Sequence, residues 1–205
     1  MGIYLPTLSF LIEHHEIPDT AVESWNDVTH LLEKYHDHEF CYKCTTRGYG
    51  HLVCFTELAE LLHIDGLRNY PNKDIFVKEQ IQELSEKLKP IESIILETPE
   101  TINGLLAKRE KNLWNILQQN HPEYCTEDRK QYHLQRIDFF KQLNIKEIYL
   151  QAPLLKDISE FDLQDKFTDK YDEVIAVLYW LKAQLYLLDQ ATKQGKTFAY
   201  ITLTP

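Results

Sequence analysis

The feature that most constrains the fold lies near the C-terminus. From Lys170 to Gln194 the chain places Val174, Val177, Leu178, Leu181, Leu185 and Leu188 at intervals of three and four residues, the spacing that gathers side chains on one face of an α-helix. Asp169 stands where a helix N-cap belongs and Gly195 where a C′ glycine belongs. A long amphipathic helix draws its stability from what its apolar face packs against. The two ends of the chain offer such a surface. Residues 1–12 alternate Leu8, Phe10 and Ile12 against Thr7 and Ser9, and Thr197 to Thr204 reads as a second short strand. Paired in one sheet, these strands would give the helices something to cover.

Between the ends, helical periods dominate. Ser24 is placed to cap a helix carrying Trp25, Val28, Leu31, Leu32 and Tyr35. Residues 38–55 read as a small hairpin, with Arg47-Gly48-Tyr49-Gly50 as its turn. A short helix is expected over Glu57 to His63, and a loop from Asn69 leads to a cap at Asp74. The next helix carries Val77, Ile81, Leu84 and Leu88 and is expected to break at Pro90. Glu100 to Asn120 forms another, with Leu106, Leu113, Trp114 and Leu117 as its core face. Thr126 starts a long helix through Leu143, on which Tyr132, Arg136, Phe139, Phe140 and Leu143 lie close together; Ile145 to Leu150 reads as a strand. The expected fold class is therefore α+β and mainly helical: five to seven helices, a small sheet or hairpin at 38–55, and short strands at both termini. The expected domain is single, residues 1–205, with a subdivision near 90–99 as its one candidate boundary.

Composition narrows the function classes. With 205 residues, 43% hydrophobic and 26% charged, the chain has the make-up of an ordinary globular protein and is long enough to bury a core. The net charge of −10, from 32 acids and 22 bases, repels phosphate backbones, favours basic protein partners and argues against nucleic-acid binding. No stretch approaches the roughly 20 apolar residues that span a bilayer; the nearest, Val174 to Leu188, is interrupted by Lys182 and Gln184. The N-terminal residues lack the basic leader and small-residue cleavage site of a secretory signal. Cytoplasmic residence and no membrane association are the expectations.

Cys41, Cys44, His51 and Cys54 fall within 14 residues. Thiolates and an imidazole are the ligands that zinc prefers, and four of them close a structural site. The segment resembles a zinc knuckle in ligand type and total span, but its histidine is displaced from the knuckle's position. The competing reading is a core hairpin without a metal or other cofactor. On a strand, Cys41 and Cys44 diverge to opposite faces, and Cys54 between Val53 and Phe55 reads as a small buried residue.

No motif identifies a reaction. His14 and His15, and His36 and His38 around Asp37, read as surface histidines. Cys125 would need a neighbouring base such as His121 or His133 to act as a nucleophile. The densest acidic stretch runs over Asp157, Glu160, Asp162, Asp165, Asp169, Asp172 and Glu173, interleaved with Phe161, Phe167 and Tyr171. Aromatic anchors inside a charged rim are typical of interfaces. Asp157, Glu160, Phe161, Asp162, Asp165, Asp169, Tyr171 and Asp172 are therefore the candidate partner-binding residues. The functional expectation is a small acidic binding protein, of the kind that neutralises a basic toxin or enzyme as immunity proteins do. The alternatives are a zinc-stabilised module built on Cys41, Cys44, His51 and Cys54, or an enzyme using His51, His133 or Cys125.

Overall fold

The computed structural model describes residues 4–12, 30, 33–34, 39–47, 62–63, 73–76, 78–152, 154 and 172–202. These residues are mainly helical. In chain order they form β1 (Tyr4–Ile12), β2 (Cys41–Arg47), β3 (Lys73–Phe76), α1 (Lys78–Glu97), α2 (Pro99–Asn120), a 3-10 turn (Pro122–Tyr124), α3 (Glu127–Gln142), α4 (Ile145–Gln151), α5 (Asp172–Gln194) and β4 (Thr197–Thr202). Of the helix expected from Trp25, only His30, Glu33 and Lys34 are described, and all three are helical. The chain divides into two compact units: residues 1–91 with 151–205, and residues 92–150.

The first unit holds the sheet and α5. The strand order is β2-β1-β4-β3, antiparallel at every described pairing. The strands from the two chain ends are neighbours, with Leu8 opposite Ile201 and Leu11 opposite Phe198. Leu11 and Phe198 are both fully buried. Pro6 lies in β1 opposite Thr45 of β2, while the ladder with β4 begins only at Thr7. Among the described residues Pro6 thus lies outside the β1–β4 pairing, a placement that suits a residue with no N–H to donate. Strand β2 pairs with β1; His51 to Phe55, the other arm of the expected hairpin, lies outside the described residues. Asp74 stands within β3 opposite Tyr200 rather than capping a helix, because the segment completes the sheet edge beside β4.

Helix α5 packs against β1, β2 and β4. Ile175, Val177, Leu178, Trp180, Leu181, Ala183, Leu187 and Leu188 are all essentially inaccessible. They occupy more than one stripe, so α5 is buried nearly all round, as expected of a helix at the centre of a core. Val174, expected in its stripe, is only half-buried. Lys182 keeps its ammonium satisfied by donating to the Ala152 carbonyl at 2.7 Å. The helix closes at Gly195, whose φ is +65°, and the Lys196 N–H donates to the Ala191 carbonyl at 3.0 Å. That is the six-to-one bond of a Schellman stop. A Cβ at Gly195 would meet nothing within 4 Å, so the backbone alone opposes a side chain there. Gly195→Ala is expected to destabilise the protein by about 1–2 kcal/mol, the cost of a left-handed L-residue, read by urea denaturation with an unchanged slope.

Two further sequence expectations are corrected. Helix α1 runs through Pro90 without a break. Ile81, Leu84, Leu88, Ile91 and Ile95 follow one stripe along it and are buried. At about 1.5–3 kcal/mol per buried side chain, that stripe outweighs the roughly 3 kcal/mol penalty of an internal proline. Residues 145–151 are helical, not extended. Asn144 explains the difference: its Oδ1 accepts from the Glu147 N–H at 3.3 Å, and its Nδ2 donates to Glu147 Oε2 at 2.6 Å. This reciprocal cap fixes the first turn of α4. No helix among the described residues is long and apolar enough to cross a membrane.

Candidate functional site

The second unit is built around a helical hairpin. Pro99 opens α2 at its first position, where a missing N–H costs nothing. The chain leaves α2 at His121, turns through Pro122–Tyr124, and re-enters a helix at Thr126. Thr126 caps α3 by accepting from the Arg129 N–H at 3.3 Å, and Glu127 and Asp128 sit in the first turn, where carboxylates complement the helix dipole. Contacts between α2 and α3 run in opposite sequence order, Asn103 with Phe140 and Leu143, Glu110 with His133 and Arg136, so the helices are antiparallel.

Two polar side chains interrupt the apolar stripe of α2, and both staple it to α3. Asn103 is buried and donates to the Phe140 and Leu143 carbonyls at 2.6 and 2.7 Å. These carbonyls lie in the last turn and at the C-cap of α3, where the helix's own ladder runs out; that of Leu143 also accepts from the Ile145 N–H at 3.0 Å. Glu110, 2% exposed, sits between the His133 ring and the Arg136 guanidinium. Its Oε1 is 2.6 Å from His133 Nδ1, and its Oε2 is 3.0 Å from Arg136 Nε. An ionised carboxylate only accepts, so Nδ1 of His133 carries the hydrogen.

Aromatic rings close this cluster. Trp114 lies 5.1 Å from the His133 ring and Tyr132 meets it edge-on at 5.5 Å. Arg136 donates to the Tyr132 hydroxyl at 3.3 Å and its guanidinium lies 5.2 Å from the Phe140 ring centre. Burial works against the charge on Arg136, but the Glu110 carboxylate and the Tyr132 hydroxyl more than offset it and hold the guanidinium above its ordinary range. The guanidinium half of the pair therefore keeps its charge throughout the ordinary pH range.

A second buried contact lies at the base of the unit. Tyr149 is 2% exposed and donates to Glu92 Oε1 at 2.6 Å. Burial, then the hydrogen bond and charge of Glu92, push its phenol well above the tyrosine range. The sign follows: the neutral phenol favours the fold, and this contribution is complete below about pH 10, the unfolded value, and is lost as pH rises further. Tyr149→Phe is expected to flatten the fall in stability above pH 10, measured by denaturation at stepped alkaline pH.

Several large apolar side chains of the hairpin are exposed. Leu113, Ile116 and Leu134 are 42%, 52% and 45% exposed, and Tyr124 and Tyr132 are also exposed. Leu113, expected in the core face, shares the direction of the buried Ile102 and Leu106 but is exposed, because burial along α2 ends at Glu110. At about 100° per residue, Leu113 and Ile116 fall to one side of Glu110. On antiparallel α3, Tyr132 falls on the matching side of Phe140 and Leu134 on the other. One flank thus presents Leu113, Ile116 and Tyr132 together. The unit from Glu92 to Leu150 carries nine acids and eight bases, so nearly all of the net charge of −10 belongs to the rest of the chain.

The residues singled out from sequence are placed as follows. Cys41 and Cys44 lie on β2, opposite Phe10 and Thr7 of β1; positions three apart in a strand fall on opposite faces of the sheet. His51 and Cys54 lie outside the described residues. Asp157, Glu160, Phe161, Asp162, Asp165, Asp169 and Tyr171 also lie outside them, and Asp172 is the first residue of α5. Cys125 Sγ donates to the backbone carbonyl of His121 at 3.6 Å, while the His121 ring is 3.4 Å from Glu123 and His133 is engaged by Glu110. Sequence reading missed Asn103 and Glu110. The available signal was a polar residue at each of two inward positions of an otherwise apolar helix face, which calls for a buried partner. Compared with known proteins, the chain matches no family model, no curated protein and no solved structure.

Proposed function

We propose that the chain is a protein-binding module whose partner contact is the α2–α3 hairpin. The observation that carries this reading is the pair Leu113 and Ile116, 42% and 52% exposed, on the same flank as Tyr132. Single exposed apolar residues are ordinary on protein surfaces; two at helical spacing on the flank of an exposed tyrosine form the kind of anchor that interfaces use. The Asn103 and Glu110 staples support the same reading. They fix the helices before any partner arrives, which lowers the ordering cost of association.

Charge supports a division of labour. A net charge of −10 draws a basic partner from a distance and raises its on-rate. The nearly neutral hairpin then supplies the apolar contact without adding a desolvated excess of either sign. A basic protein is accordingly the proposed partner, and neutralisation of a basic toxin or enzyme is the biological form that such binding would take.

The test is capture of the partner from the cell of origin, with the wild-type chain and the double variant Leu113→Asp, Ile116→Asp as baits. A basic protein retained by the wild type and lost by the variant is the expected result. Equal retention by both baits would move the contact off the hairpin and sink the proposal.

A further inference from the structure

We draw no further inference here: the strongest candidate, the apolar flank of the α2–α3 hairpin at Leu113, Ile116 and Tyr132, is the contact surface already proposed, and nothing in the structure shows what covers it.

Discussion

Glu110→Ala is expected to lower the unfolding free energy by about 3–5 kcal/mol, the range for removing one member of a buried ion pair. The carboxylate is 3% exposed, and the His133 and Arg136 side chains are 15% and 14% exposed. Removing Glu110 leaves a guanidinium and an imidazole facing each other across a cavity. Arg136 keeps its bond to Tyr132 and its place against Phe140, so the charge stays where water reaches it poorly. Glu110→Gln preserves volume and one acceptor, and should cost less than the alanine. The triple replacement Glu110→Leu, His133→Leu, Arg136→Met removes every charge together, and is expected to fold with stability near the wild type, because a well-packed apolar set often equals a buried ion cluster. Chemical denaturation of the four proteins measures this. A Glu110→Ala variant within about 0.5 kcal/mol of the wild type, the scatter of an ordinary surface substitution, would show that the cluster is no staple.

The second large effect concerns binding. Leu113→Asp with Ile116→Asp is expected to weaken the partner complex by at least about 30-fold, equivalent to the 2 kcal/mol that marks an interface hot spot. Both side chains are substantially exposed, so the fold should lose little, within about 1 kcal/mol. The two readouts separate function from folding: titration calorimetry should show the weakened complex, and thermal unfolding a nearly unchanged midpoint. Leu134→Asp, on the opposite flank, serves as the control and is expected to leave affinity within about threefold, as rim positions do.

Local signals in the sequence located most helices, because capping chemistry and apolar spacing act over a few residues. Thr126 as the cap of α3, His121-Pro122 as the end of α2 and Gly195 as the stop of α5 were all legible in this way. Where the reading failed, a longer-range term decided. Pro90 looked like a break because its local penalty is large; the buried stripe from Ile81 to Ile95 holds the helix through it. Ile145 to Leu150 looked like a strand because isoleucine and tyrosine favour strands, yet the Asn144–Glu147 cap sets the helix.

The candidate site was less legible than the fold. Periodicity placed Leu113 in the core because it continues the stripe of Ile102 and Leu106, but it cannot say how far along α2 that stripe is covered, and burial ends at Glu110. Glu110 and Asn103 were invisible as staples because their partners lie 23 to 40 residues away. Nothing in either sequence segment alone specifies the pairing; it follows from the turn at 121–126 that folds one helix back on the other.

Amide hydrogen exchange of the chain, free and bound to the captured partner, tests the central claim most directly. The account predicts that binding slows exchange along residues 109–120 of α2 and 128–136 of α3, on the hairpin that carries Leu113, Ile116 and Tyr132. Slowed exchange confined to other segments, with the hairpin unchanged, would contradict it.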